Sequence, residues 1–412
     1  MPGGFRAAVA CVLATIVLGG GLAACGSDKN SAVLNGSDTL TIYSSLPLQG
    51  PDRDRSRDMV NAIKLALQDV GGKIGPLNIT YVPLDSATPE AGTWTHDKVL
   101  DNARQAVRDL NAIAYIGERD SAATALSVPL TNEGHILQVS PSSTYDGLTR
   151  ESRRQGEPDR FYPSGERTFA RVVPRDHVQA SAMVGYMKTA GVRSIALLAD
   201  REIYGGGLAD EIERAAEAQQ IKVFDRGRTD ASEGDLKGVA KKIAETEAHA
   251  FVFAGTTETG AARIFDAVAD ATPSMLLFGP AAIADEAFLR ELPTDVESRM
   301  RVTTSTLPER LLPRRARTFR ERFRTAFGRQ PAPEALQAYE TASAVLHAIR
   351  SAGTRGNNRQ AVTDAFLAIR NRDSVLGRYS IDRFGDTSLS TYAGNRVRSS
   401  RFVLDKVLEV RG

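Results

Sequence analysis

From residue 38 onward, short hydrophobic runs alternate with longer segments whose hydrophobic residues recur every three or four positions. The short runs predict buried strands, and the longer segments predict amphipathic helices. In the first unit, residues 39–46 predict a strand, and Met59, Ile63 and Val70 mark one face of a helix that Gly71 ends. This alternation predicts an α/β protein built from parallel βαβ units.

The same rhythm occurs twice, on either side of a charged segment at 150–167 that predicts a surface loop near a lobe boundary. The other predicted strands are 77–84, 112–116, 136–139, 195–199, 223–224, 251–254, 275–278 and 301–306. The other predicted helices are 98–110, 121–133, one starting at Gly207, 257–269, 284–292, 314–326, 333–352 and 358–369. Two such sheets create a cleft between lobes, and open parallel sheets bind ligands beyond the carboxyl ends of their strands.

The N-terminal segment has the features of an export signal. Arg6 precedes an uninterrupted apolar run at 7–18, and small residues lead to Leu22-Ala-Ala-Cys25. This sequence resembles the bacterial lipobox, in which the cysteine thiol receives a diacylglycerol. We therefore predict a signal peptide at 1–24, lipidation of Cys25 and a flexible tether at 25–37. The alternatives are a secretory signal with an incidental cysteine and a single membrane span, for which the apolar run is short.

The composition argues against several classes of function and site. The net charge of +2 and the aromatic content of 6 % give no basis for nucleic-acid binding. No cysteine follows Cys25, and the five histidines are scattered without ligand spacing, so no disulfide, metal site or cofactor is predicted in the body.

Three segments, in this order and spacing, resemble the type I periplasmic binding proteins, specifically the branched-chain amino acid (Leu/Ile/Val) binding group. They are ILQVSPSST at 136–144, DREIYGGGL at 200–208 and VLGRYSID at 375–382, and the likeness extends over about residues 38–410. The resemblance implies two Rossmann-like lobes with parallel central sheets, joined by three hinge crossovers. The implied crossovers lie near 170–175, 302–307 and 376–380. The implied lobes are 38–172 with 307–378, and 173–306 with 379–412.

The resemblance also implies a ligand site at the strand ends. Ser121, Ser142 and Thr144 match positions that hold the ligand carboxylate, and Tyr204 matches an aromatic that packs over the ligand. Hydroxyl groups suit a carboxylate because they donate hydrogen bonds without adding a competing charge. The alternative is that the hydroxyls are helix caps or turn residues and that Tyr204 belongs to the core.

Two positions depart from the family pattern. Ala281 follows Gly279-Pro280, where the family places the acid that accepts the ligand ammonium, and Thr257 stands at an aromatic position. Either another acid accepts the ammonium, or the ligand lacks one. The acids considered are Glu258, Asp285 and Glu202. Arg119 is either a partner for an additional acidic group of the ligand or a solvated loop residue.

Two further signals have a simple structural interpretation. Gly205–Gly207 lacks the lysine of a phosphate loop, so close packing at a helix start is expected. The basic segment 310–329 carries Phe319, Phe323 and Phe327 on one stripe, which favours a helix with a buried apolar face over a membrane-surface helix.

The sequence thus predicts a solute-binding lipoprotein anchored on the extracytoplasmic face of the cell membrane, with no enzymatic activity. Its expected partners are a small amino acid or related carboxylate solute, ABC permease subunits, and the membrane through the lipid. Binding would close the hinge between the lobes. The alternatives are a ligand-sensing module for a signalling partner and a secreted enzyme, for which no nucleophile–base pair is found.

Overall fold

A computed structural model of the protein describes residues 38–229 and 235–410. The predicted signal peptide, the tether and Cys25 lie outside these residues. The strands are β1 (Thr39–Leu46), β2 (Lys73–Ile74), β3 (Leu77–Asp85), β4 (Ala112–Ile116), β5 (Leu137–Ser140), β6 (Phe169–Arg171), β7 (Ser194–Ala199), β8 (Lys222–Arg228), β9 (Ala250–Ala254), β10 (Leu276–Gly279), β11 (Met300–Thr304), β12 (Arg372–Ser374), β13 (Gly377–Tyr379), β14 (Thr391–Val397) and β15 (Phe402–Glu409).

Most helices alternate with these strands, as the hydrophobic pattern predicts, although that pattern predicts no helix at 176–189, 236–245 or 294–297. The helices are α1 (Arg53–Asp69), α2 (His96–Arg108), α3 (Ser121–Glu133), α4 (Asp176–Thr189), α5 (Ile203–Ala218), α6 (Leu236–Glu245), α7 (Ala261–Ala271), α8 (Glu286–Glu291), α9 (Thr294–Glu297), α10 (Arg314–Phe327), α11 (Ala335–Ser351) and α12 (Arg359–Leu367). Within residues 38–229 and 235–410, no helix combines the length and the apolar character that crossing a membrane requires.

The strands form two main sheets. The first has the order β2-β3-β1-β4-β5-β6, and the second has the order β15-β14-β11-β10-β9-β7-β8. Strands β1, β3, β4, β5 and β6 run parallel in the first sheet, and β7 to β11 run parallel in the second. Each sheet therefore gathers the carboxyl ends of its parallel strands along one edge.

Each sheet has its own hydrophobic core. The first core joins β1, β4 and β5 to α1, α10, α11 and α12, and the second sheet is covered on its two faces by separate clusters. Phe319 and Phe323 of α10 are buried in the first core, which confirms the interpretation of that basic helix as a packed helix. The chain passes between the two sheets after β6, after β11 and after β13.

The third of these connections lies slightly later than predicted. Tyr379 and Ile381 still pack in the first core, so the chain leaves this lobe after Ile381. Asp386 then ties the connection to the first lobe, because Arg150 and Arg171 donate to its carboxylate at 2.8 and 2.9 Å. Burial would raise the pKa of Asp386, but the neighbouring arginines and Thr149 lower it below its ordinary value.

Two predicted helix starts are wrong. The helix predicted at 257–269 begins at Ala261, because Thr256 and Thr259 exchange side-chain and backbone hydrogen bonds in a turn and Gly260 adopts a left-handed conformation. The helix predicted from Gly207 begins at Ile203 and runs through all three glycines.

The segment 150–167 is only partly a surface loop. Phe161 and Tyr162 are buried in a cluster with Tyr145, and Arg167 lies over the Tyr162 ring. The segment also reaches the second lobe, since Arg153 pairs with Glu213 of α5 at 2.7 Å.

The expected close packing at the glycine-rich helix start is confirmed. A Cβ atom on Gly207 would lie 2.3 Å from the Tyr145 ring of the first lobe, and one on Gly205 would lie 2.4 Å from the Ala254 carbonyl oxygen. These glycines therefore let α5 approach both the first lobe and its own sheet.

We predict that Gly207→Ala lowers the free energy of unfolding by about 1–3 kcal/mol, because the added methyl group overlaps the buried Tyr145 ring. Gly206→Ala is the matched control, since its added methyl group meets the flexible ends of two arginine side chains, Arg228 at 3.1 Å and Arg154 at 3.7 Å. Urea unfolding of both variants makes the comparison. Equal stabilities of the two variants would contradict the packing argument.

Candidate ligand-binding cleft

The carboxyl ends of both sheets open into a cleft of about 680 Å³. Ser121, Ser142, Thr144, Tyr204, Glu258 and Ala281 all line it, so six of the seven sequence-predicted ligand residues come together. The first three belong to the first lobe and the others to the second. The geometry therefore has the two-walled arrangement that the resemblance implies, while the ligand roles of these residues stay a prediction.

Ser121 is the best-placed donor on the first wall. It opens α3, and its hydroxyl oxygen accepts a hydrogen bond from the Tyr145 N–H at 3.3 Å, which leaves the hydroxyl proton available to a ligand. The first N–H groups of a helix have no partner within the helix and favour an anion. Ser121 is 5 % exposed, so such an anion would be largely shielded from water.

Ser142 and Thr144 already contact other groups of the protein. The Ser142 hydroxyl donates to the Arg119 carbonyl oxygen at 2.9 Å, so it remains only an acceptor unless that bond breaks. Thr144 lies beside Asp176, a fully buried acid whose pKa is raised well above its ordinary value by burial and by the nearby Asp146 carboxylate. Both residues border the cleft while supporting the turns that shape it.

A buried acid holds the turn beneath Ser121. The Tyr115 and Ser45 hydroxyls lie 2.5 and 2.7 Å from the two oxygens of the Glu118 carboxyl, and the Glu118 carbonyl oxygen accepts from Ser140 at 2.7 Å. Burial raises the pKa of Glu118 to about 8. The carboxyl is therefore mostly protonated at neutral pH, where an isolated glutamate is ionised.

On the second wall, Tyr204 lies in the first turn of α5. Burial, together with the Asp176 carboxylate, raises its pKa well above the ordinary value, so its hydroxyl stays a donor. Ala281 offers the cleft neither charge nor hydroxyl. The acid that the family carries after Gly279-Pro280 has no replacement at that position of the chain.

Thr257 does not line the cleft. Its hydroxyl donates to the Asp285 carboxylate at 2.7 Å, outside the lining. Asp285 also caps α8 through the Phe288 N–H at 2.7 Å and pairs with Arg55 of the first lobe at 3.2 Å. Asp285 is therefore a contact between the lobes, and of the acids considered from the sequence only Glu258 and Glu202 line the cleft.

Glu258 is the acid best suited to a ligand ammonium. Its side chain keeps an exposed surface toward the open cleft, yet the walls around it exclude enough water to raise its pKa to about 7. Desolvation is the main cause. Arg119 opposes the rise, and Asp52 and Asp120 add to it. An added cation beside Glu258 would favour the ionised carboxylate.

The structure adds an ion-pair chain that sequence reasoning missed. Arg119 is not a solvated loop residue, because Asp52 holds its guanidinium at 2.7 Å and the side chain is 11 % exposed. Asp52 lies 3.5 Å from Arg55, which also pairs with Glu334 at the start of α11. Asp52 and Arg55 follow β1, so a strand-end rule could have found them, whereas Glu334 gives no local signal.

No group of acids, histidines or cysteines in the described residues is arranged to hold a metal ion.

With this geometry established, the family follows from comparison with known proteins. The chain belongs to the periplasmic binding protein family, whose sequence model, described as "Periplasmic binding protein", matches residues 39–390. Among curated protein sequences, none matches the chain.

Solved structures show the same fold. The leucine binding protein LivK from Thermotoga maritima superposes with a TM-score of 0.76 at 20 % identity, over 90 % of this chain and 99 % of that one. LivJ from Streptococcus pneumoniae, a branched-chain amino acid transporter substrate binding protein in complex with isoleucine, gives 0.74 at 17 %, over 91 % and 100 %. An ABC transporter solute binding protein from R. palustris in complex with benzoate gives 0.72 at 17 %, over 91 % and 98 %. The prediction of a type I periplasmic binding fold is confirmed.

We predict that Glu118→Gln changes the pH dependence of stability. The native pKa of Glu118 is raised to about 8, so the protonated carboxyl favours folding below the ordinary pKa near 4.5, and this contribution is lost as the pH rises through 8. Glutamine does not ionise, so the variant should gain stability relative to the parent between pH 5 and pH 9. Urea unfolding at both pH values measures the gain, with exposed Glu286→Gln as the control. A stability difference that does not change with pH would contradict the buried protonated carboxyl.

Proposed function

We propose that the protein is the extracytoplasmic solute-binding component of an ABC uptake system and captures a small amino acid or related carboxylate. One observation carries the proposal: Ser121 at a helix N-terminus and Glu258 line one cleft from opposite lobes. A carboxylate suits the first position, and an ammonium suits the second. No chemical step is proposed.

Membership in the family and the likeness to solute-binding proteins of ABC transporters support this proposal. Those proteins bind different solutes, isoleucine in one case and benzoate in another, so the likeness leaves the solute to the residues of this cleft. Glu258 favours an ammonium-bearing solute over a plain aromatic acid. The ammonium would then be paired even though Ala281 replaces the usual acid.

Binding would act through closure of the two lobes. The Arg55–Asp285 pair at 3.2 Å and the Arg153–Glu213 pair at 2.7 Å already join the lobes. A solute that contacts both walls adds interactions that exist only in the closed form and so shifts the population toward it. A closed, loaded form is what a permease partner would recognise. A signalling partner remains the second candidate, since it would recognise the same form.

We predict that Glu258→Gln weakens binding of an α-amino acid at least about tenfold, because the ammonium loses a charged partner. The affinity of the parent should fall as the pH drops from 8 to 6, because protonation of Glu258 near pH 7 removes the same charge. Calorimetric titration at both pH values measures both effects, with exposed Glu291→Gln of α8 as the control. Unchanged affinity and pH slope in Glu258→Gln would contradict the role of Glu258.

We also propose that the protein is held at the outer face of the cell membrane by a lipid on Cys25. The lipobox-like sequence and the absence of any later cysteine in the sequence support this assignment. Cys25→Ser should abolish metabolic labelling with palmitate and move the protein from the membrane fraction to the medium. Cys11→Ser is the matched control and should change neither property. Labelling that survives Cys25→Ser would contradict the assignment.

A further inference from the structure

The cleft extends beyond the proposed amino acid site toward α11. Along the first wall, Ser121 is followed by the ion-pair chain of Arg119, Asp52 and Arg55, which ends on Glu334. Gln337 lies one turn further along α11 and lines the same cleft beside Thr306 of the second connection. Residues three apart share a helix face, so Glu334 and Gln337 together border this end.

Two acceptor atoms at this end have no donor within residues 38–229 and 235–410. They are the second carboxylate oxygen of Glu334, Oε2, and the amide oxygen of Gln337, Oε1. Gln337 is 6 % exposed, and its amide N–H donates to the Thr306 hydroxyl at 3.0 Å, which leaves Oε1 without a partner. A buried polar atom without a hydrogen bond is costly, so these atoms favour a donor supplied by a ligand.

The charge of the cleft also favours a ligand group that donates hydrogen bonds. Arg55 and Arg119 are the two guanidinium groups in the lining, and both are already paired with acids. The lining carries more carboxylates than cations. Its acids are Asp52, Asp120, Glu202, Glu258 and Glu334. Although burial acts to raise the pKa of Glu334, the Arg55 guanidinium lowers it below its ordinary value, so Glu334 stays ionised.

We propose that Glu334 and Gln337 form a second subsite for a cationic nitrogen group of the ligand, an ammonium or a guanidinium. Such a group donates several hydrogen bonds and fills both acceptors, whereas an aliphatic side chain leaves them unpaired. This inference rests on the proposed function, because the α-carboxylate and α-ammonium would occupy the Ser121 and Glu258 ends. The solute class is then an amino acid with a basic side chain.

The test compares ligands that share the α-amino acid end. Lysine and arginine carry a distal cation, norleucine has an aliphatic chain of similar length, and glutamate carries a distal acid. Calorimetric titration of the full-length protein should give lysine or arginine an affinity at least about tenfold above that of norleucine, with glutamate weakest. Equal affinity for norleucine and the basic amino acids, or preference for glutamate, would overturn the subsite alone. Failure of every amino acid to bind would overturn both the subsite and the proposal that the solute is an amino acid.

Substitution of Gln337 tests whether this residue causes the preference for a basic side chain. Gln337→Met keeps the length of the side chain and removes the amide oxygen, so it should weaken lysine binding about tenfold and leave norleucine binding within about twofold. Gln360→Met on α12, outside the cleft, is the matched control and should change neither affinity. Equal loss for lysine and norleucine in Gln337→Met would overturn the assignment. The ligand comparison in the parent protein decides the question even if this variant does not fold.

Discussion

Parallel strands place their carboxyl ends at one edge of a sheet, and this constraint determines where the protein has a site. Two sheets of this kind turn those edges toward one cleft, so loops that are far apart in the sequence supply its walls. Gly207 lets α5 approach Tyr145 closely, and Asp386 ties the third connection to two arginines of the first lobe. The scaffold thereby fixes two walls whose chemistry is set by a few side chains.

The balance of buried charge determines which charged ligand groups the cleft favours. Arginines 55 and 119 are each neutralised by acids of the same wall, so neither is available as an anion site of the kind a dicarboxylate would need. The remaining acids make the cleft favour ligand groups that carry a positive charge. The carboxylate of a solute would therefore depend on the neutral donors of Ser121 and the start of α3, which bind an anion without a competing cation.

Much of this arrangement could be predicted from the sequence, because strand ends are local features. The runs before Ser121, Ser142 and Glu258 are short, hydrophobic and bounded by turn residues, and this pattern identifies a buried parallel strand. Helix α4 was not predicted because it is buried on nearly all sides, with Ala180, Met183 and Met187 in the core, and therefore shows little amphipathic period.

The pairing of charges could not be predicted. Arg55 and Asp285 are separated by 230 positions, and nothing near either residue indicates that they meet across the lobes. For the same reason the sequence offers Asp285 as a candidate ligand acid and does not indicate Glu334. The resemblance places Thr257 in the site, whereas its hydroxyl donates to Asp285. Which of several nearby acids faces a cavity depends on tertiary packing, and local sequence carries little information about it.

A crystal structure of the protein with a bound amino acid would show directly how the two walls of the cleft hold the ligand. We expect the α-carboxylate within hydrogen-bonding distance of the Ser121 hydroxyl and the N-terminus of α3, with the α-ammonium beside the Glu258 carboxylate. A ligand bound outside the cleft, or bound within it with its carboxylate away from Ser121, would contradict this binding geometry.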